Sequence, residues 1–371
     1  ATVKNLPALL GVGYDFTAHD FYSFCPQISL TTDTNAYCGE QGLEQCRQCL
    51  RRNPAPGGAS IEAWRNQHAP FVQGARNVLV PSRDAARRFA RFAPGAHIRL
   101  APHTDVPDAA HLPTPMPRPV AAGAPLKIVV MGALSTIKGA DVLEDVATEA
   151  AQRGAPIEFH LLGYGYRHLR AQPRARLTVH GAYDEKDLPA LLQWLQPDLA
   201  WFPAQWPETY SYTLSACLQA GLPVVAPDLG AFAERLAGRP WSWVRPWASS
   251  TTDWVQWFTR LRETHFASLH PPQPPATLAE QPEDALIQPW DYHREYTQGL
   301  PPPAPTASAP GAAQLANLRP VASTAAPALR QGLVGVLMRL RAAPGCANWP
   351  ALCHRTGSGG PKTGCWDTDR V

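Results

Sequence analysis

Between residues 126 and 228 the chain alternates short, almost wholly apolar runs with stretches of helical period. The runs are "LKIVVMG", "IEFHLLG", "LTVHG", "DLAWFPA" and "LPVVAPD", and the stretches between them include "ADVLEDVATEAAQRG" and "EKDLPALLQWL". A strand buried on both faces reads as a continuous apolar run, and a helix of about a dozen residues is the usual crossover between parallel neighbours. The pattern therefore predicts a parallel sheet with helices on both faces. Another helical stretch is expected around 211–220.

Residues 6–110 carry a less regular version of the same alternation. "LPALLGV" reads as helix, "YDFTAHDF" as a strand ending in a polar turn, and "SIEAWRNQHAPFVQGA" as a helix with Ser60 as its cap. "RNVLVPS" and "HIRLAPHT" read as strands on either side of an Arg-rich helix, "RDAARRFARFAP". Two α/β units joined by a Pro/Ala linker imply two Rossmann-like domains facing a cleft. The expected organisation is a first, incomplete domain at 1–106, a linker at 107–125 and a second domain at 126–270. Residues 271–371 form a Pro/Ala-rich, low-complexity tail, expected to be largely disordered apart from a helix at 289–300. Its end, 345–371, has neither helical nor strand periodicity, and Cys346, Cys353 and Cys365 within it support no site.

Bulk properties narrow the function. A formal charge of +3 over 371 residues is close to balance, so electrostatics give no reason to expect a nucleic-acid partner. No run reaches the roughly 20 apolar residues of a membrane span, and the first residues lack the order of a secretory leader. A cytoplasmic location is expected, and the chain, which opens on Ala1, is expected to be truncated at its N-terminus. Of the 33 basic residues only Lys4, Lys127, Lys138, Lys186 and Lys362 are lysines, which makes a lysine in a Gly-containing loop conspicuous.

In open α/β sheets, ligands bind beyond the carboxyl ends of the strands, and the polar residues here gather at such ends. After "IVVMG" come Gly132, a short polar loop, Lys138 and Gly139, then a helix. After "DLAWFPA" comes "QWPETYSYTLSA", with Glu208 and a run of hydroxyl residues before another helix. A helix N-terminus with unpaired N–H groups suits a phosphate, and Lys138 adds a full positive charge. Plainer readings exist for each residue. Lys138 could be a solvated loop lysine, Glu208 a helix cap, and His19 a strand-end histidine paired with Asp20. Asp228 and Glu234 read more readily as caps than as ligand contacts.

The ordered series "VVMGALSTIKGADVL", "LLGYGY", "LTVHGAY" and "DLAWFPAQWPETYSYTLSACLQAGLPVVAPDLGAFAERL" resembles the donor-binding domain of family-4 retaining glycosyltransferases of the GT-B fold. "AHDFYSFCP" and "LAPHTDV" resemble that family's acceptor-side domain and the strand leading out of it. The resemblance implies a nucleotide-diphosphate sugar donor, a glycan or lipid-linked saccharide acceptor, retention of anomeric configuration and bacterial surface polysaccharide synthesis. Contact with a membrane would then be peripheral, through the acceptor. By the same resemblance Lys138 binds the diphosphate and Glu208 the hydroxyls of the transferred sugar. Gly132 and the loop of Thr209, Tyr210, Ser211 and Tyr212 surround the donor, and His19 lies close to the reacting sugar. No cofactor is implied for catalysis, because the lysine and the helix end supply the positive field.

Two positions depart from the family pattern. Ala133 stands where an arginine is usual, and Ala216 where a second glutamate grips the nucleotide ribose. A charge-assisted hydrogen bond contributes about 1.5–3 kcal/mol, so Ala216 implies donor binding weaker by roughly one to two orders of magnitude. Two rival readings follow: a degenerate, non-catalytic relative that binds a nucleotide or a protein, and a sugar-nucleotide epimerase on the same fold.

Cys25, Cys38, Cys46 and Cys49 fall within one loop, 25–49, and the last two form a C-x-x-C pair. Four thiolates would satisfy a structural Zn²⁺, yet the spacing is not that of a zinc ribbon. Reduced, unliganded thiols are the other reading.

Overall fold

A computed structural model describes residues 2–103, 105–106 and 111–298. The sequence expectations for 299–371 lie outside the described residues. The protein is α/β, with two all-parallel sheets.

The larger sheet is built on β4 (Leu126–Leu134) and β5 (Ile157–Gly165), with β6 (Leu177–Val179) outside β5. On the other side of β4 lie β7 (Leu199–Trp201), β8 (Val224–Pro227) and β9 (Ser242–Arg245). The order β6-β5-β4-β7-β8-β9 is the Rossmann order, counted from β4 as 3-2-1-4-5-6. The chain reverses its winding between β4 and β7, so a crevice opens there at the carboxyl ends.

Alternation along β4 explains why both faces are apolar. Leu126, Ile128 and Val130 point into one core, and Val129 and Met131 into another. The first core is covered by α5 (Ala140–Gln152), through Leu143, Val146 and Ala147, and by α9 (Thr251–Leu261), through Trp254, Val255 and Phe258. A set of rings, Phe159, Trp201, Trp254 and Phe258, sits at its centre with centroids 5.1–5.8 Å apart. The second core is covered by α6 (Leu188–Leu195), α7 (Tyr212–Gln219) and α8 (Ala231–Leu236).

The smaller sheet has the order β1-β2-β3-β10, with β1 (Phe16–Thr17), β2 (Val78–Val80), β3 (Ile98–Leu100) and β10 (Gln288–Pro289). Helices α1 (Thr2–Leu10), α2 (Leu43–Arg52), α3 (Ile61–Gln73) and α4 (Arg83–Phe92) accompany it. Ser60 caps α3 as the sequence predicts, accepting from the backbone N–H of Ala63. Phe21, Phe24, Val78, Val80, Phe89 and Ile98 form its core.

Three features differ from the sequence expectation. The stretch 25–49 is not a single loop, because Cys46 and Cys49 lie on α2. The C-terminal stretch rejoins the first sheet: Gln288 pairs with Arg99 and Pro289 with Leu100. Where a helix over 289–300 is expected, that strand is followed by one wide helical turn, His293–Thr297, within the described residues. Charge explains the return. Arg87 of α4 is buried against Asp284, holding its carboxyl down at about 2.

Candidate active site

A cavity of about 640 Å³ lies over the β4/β7 crevice. Its walls come from the carboxyl ends of β4, β5 and β7, from the loop before α7, and from His19 and His103, which follow strands of the first sheet. His19, Gly132, Lys138, Glu208, Thr209, Tyr210, Ser211 and Tyr212 all line it. Ala133 is exposed on the same wall, whereas Ala216 packs against the second core.

The loop between β4 and α5 presents Lys138. It is closed by hydrogen bonds from Lys138 N and Ala140 N to Ser135 O, and from Gly139 N to Thr136 O. Gln205 N donates to Ile137 O at 2.8 Å, which ties the loop to the segment after β7. Gly139 has φ of 86°, and a Cβ there would sit 2.1 Å from Pro203 O. Only glycine permits both the left-handed backbone and the close approach. The Lys138 side chain is exposed and, among the described residues, its ammonium makes no hydrogen bond or ion pair. Its ammonium is thus available to a ligand.

Glu208 stands on the segment between β7 and α7. Ala231 N donates to Glu208 O, and a Cβ on Gly230 would meet that same oxygen at 2.3 Å, so backbone packing fixes the residue. Burial pushes its carboxyl above the usual range, and Lys138 is first among the groups that draw it back. The Ser211 hydroxyl and the indole N–H of Trp206, on the same wall, also draw it down.

Thr209 donates through Oγ1 to His19 O at 2.9 Å, joining the loop to the first sheet. Asp20 accepts from the backbone N–H of Tyr22 rather than serving His19. The Tyr210 hydroxyl donates to Asp105 at 2.7 Å, and its ring lies beneath Arg235 with the guanidinium carbon 4.0 Å from the centroid. That side chain is therefore committed to the frame of the site. Ser211 has φ of 78°, an uncommon backbone for a residue with a Cβ, and it opens α7. The first N–H groups of a helix have no intrahelical partner, so the α7 terminus offers donors and a partial positive charge beside Lys138 and Glu208.

Sequence reasoning missed Arg235 and His103. Arg235 donates to the carbonyls of Tyr210 and Ser211 and to Ser215 Oγ, at 2.8–3.0 Å. Burial lowers its pKa. Nothing in "FAERL" distinguishes it from a surface arginine. His103 stacks on Tyr212, with centroids 5.2 Å apart, and lies parallel to His19. Burial, reinforced by His19, lowers its pKa and favours the neutral ring. Asp228 and Glu234 are structural: Asp228 accepts from Trp247 N, and Glu234 accepts from Arg83 N and Asp84 N. The four cysteines lie elsewhere, around a small separate cavity.

Residues 125–251, the span of the larger sheet, match the family model described as glycosyl transferases group 1, about a third of the chain. No curated protein matches. Among solved structures the chain is similar to Anabaena HepE in complex with UDP and glucose, at 14% identity and a TM-score of 0.41. That alignment covers 71% of this chain and 65% of the other. For a sucrose-phosphate synthase from Thermosynechococcus elongatus the figures are 15%, 0.44, 70% and 62%. For a UDP-forming trehalose-phosphate synthase from Burkholderia vietnamiensis they are 11%, 0.45, 71% and 64%. The chain thus spans less than two thirds of the length of each.

Proposed function

We propose that the protein is a retaining glycosyltransferase. It moves a sugar from a nucleotide-diphosphate donor to a glycan or lipid-linked acceptor in bacterial surface polysaccharide synthesis, meeting a membrane only through that acceptor. The observation that carries this reading is the convergence of Lys138, Glu208 and the α7 N-terminus on one cavity at the β4/β7 crevice. The family match over the same sheet supports it.

In this reading the bond from the anomeric carbon to the diphosphate oxygen breaks with its electron pair, a bond to the acceptor hydroxyl oxygen forms, and the proton of that hydroxyl passes to the departing diphosphate. Charge grows on the departing diphosphate, and the protein's work is to stabilise it with donors already in place. Lys138 supplies the full charge, and the N–H groups at the start of α7, with the Ser211 and Thr213 hydroxyls, supply oriented dipoles. Glu208 accepts from hydroxyls of the transferred sugar. Burial raises its pKa, and Lys138 is the first group that opposes the rise. Gly132 leaves room at the end of β4, and His19 approaches from the acceptor side. Residues 126–270 serve as the donor half and 1–106 as the acceptor half.

Ala133 and Ala216 favour a second reading, a relative that binds nucleotide without transferring sugar. The two readings part on one experiment. Thermal-shift titrations of the full chain with UDP, GDP, ADP and CMP should show stabilisation by one of them, about 2.7 kcal/mol at a hundred times Kd. That stabilisation should vanish in Lys138→Ala. Stabilisation without turnover of any matching donor would favour the binder. No stabilisation by any nucleotide would overturn both.

A further inference from the structure

The stretch that follows Cys25 is folded almost without a hydrophobic core. From Thr32 to Pro54 no residue is buried. Helix α2 buries none of its ten residues, and its N-cap, Gly42, offers no side-chain bond. A helix this short is unstable alone in water, and in proteins an apolar face normally holds it. The least exposed side chains on α2 are Cys46, Cys49 and Leu50, so the inward face is the cysteine face. Cys25 reaches it from the chain after β1, and Cys38 from the turn closed by the Thr31–Tyr37 bridge. With Leu50 and Ile61 the four cysteines line one cavity of about 40 Å³.

We propose that Cys25, Cys38, Cys46 and Cys49 bind one structural zinc ion, which fastens residues 25–53 to the first sheet. Small segments that cannot bury enough apolar surface are commonly held by a metal or by disulfides. All-thiolate donors select soft metals such as zinc. Cys46 and Cys49 are spaced i, i+3, which sets their Cβ atoms about 5–6 Å apart on one face. Arg65 donates to Cys46 Sγ at 3.7 Å, a cation positioned to offset the excess negative charge of a tetrathiolate site. Among the described residues no three His, Cys, Asp or Glu side chains stand in ligating geometry, so the sulfurs line the wall rather than meet at its centre. Zinc–sulfur bonds of about 2.3 Å require them to close inward. This inference is independent of the glycosyltransferase reading.

The test is metal analysis of the full chain purified under reducing conditions. One zinc per chain is expected, falling at least tenfold in Cys46→Ser/Cys49→Ser and unchanged in Cys217→Ser, whose thiol is buried in the second core. Those variants need not fold well, so the wild-type chain supplies a second readout. Cobalt exchange should give thiolate-to-cobalt charge-transfer bands, and a strong chelator should open 25–53 to limited proteolysis while the larger sheet stays resistant. Three results would each overturn the proposal. They are a folded, zinc-free chain whose four thiols alkylate as fast as exposed ones, a disulfide between any two of them, and an iron chromophore.

Discussion

Ser211 holds a backbone that costs about 1–3 kcal/mol for a residue with a side chain. Arg235 offsets that cost by bonding the carbonyls on both sides of the kink and bracing Ser215, with Tyr210 packed against the guanidinium. Such a braced loop has its amides placed before any ligand arrives, so under the proposed function they need no reordering when a diphosphate binds. Arg235→Met should therefore lower the melting temperature by several degrees and weaken nucleotide binding ten- to a hundredfold by calorimetry. Arg235→Lys should not rescue it, because one ammonium cannot serve three acceptors in the plane of a guanidinium. Lys138 is the contrasting case. Its side chain is exposed and unbonded, so Lys138→Ala should leave the melting temperature within about a degree. Turnover should fall by about two to three orders of magnitude, the usual cost of losing one preorganised stabiliser of transition-state charge. A variant that turned over normally would remove Lys138 from the diphosphate.

Among the elements, the contact between α5 and the end of β7 decides where that lysine stands. Gly139→Ala would put a methyl group within van der Waals overlap of Pro203 O, on a backbone with positive φ. A loss of about 2–3 kcal/mol in urea unfolding is expected, with weaker nucleotide binding because Lys138 moves with its neighbour. The elements that frame this contact were legible in the sequence, since β7 and β8 are apolar runs and β4 and β5 are interrupted only by Lys127, Glu158 and His160 among charged or titratable side chains short of the glycine ends. The strand-end residues were legible for the same reason: once the sheet is parallel, its carboxyl ends are known. Elements fixed by distant partners were not. Strand β10 is two residues long and depends on pairing with Arg99 and Leu100, nearly two hundred residues away. The burial of Arg87 and Arg88 could not be read from an Arg-rich helix, because their partners Asp284, Glu40 and Asp84 come mostly from other segments. Helix α2 was missed because only Leu43 and Leu50 join Cys46 and Cys49 as apolar residues among its ten.

Across the molecule, the two sheets are joined by a few polar contacts, among them Thr209 to His19 and Glu234 to the N-terminus of α4. Glu234 lies on the same helix as Arg235, α8, so the frame of the loop and the joint between the sheets share one short element. Burial pushes the Glu234 carboxyl up to about 7, with Asp84 adding to the shift and the α4 N–H groups and Arg83 opposing it. The sign follows from proton counts. Between the ordinary carboxylate pKa of 4.5 and about 7 the folded chain keeps a proton that the unfolded chain has lost. Glu234 therefore lowers stability progressively as pH rises through that window, and its effect is constant above it. Histidines whose pKa burial lowers, such as His68, His103, His160 and His180, act in the opposite sense as pH rises. The expectation is thus set on a difference. Glu234→Gln cannot ionise, so its melting temperature minus that of the wild type should climb between pH 4.5 and 7 and then level off. The climb should correspond to no more than about 3 kcal/mol, less whatever residual hydration of a partly exposed side chain removes. Differential scanning fluorimetry across that range measures it directly. A flat difference would mean that the two α4 N–H groups hold Glu234 ionised throughout, and that this joint is insensitive to pH.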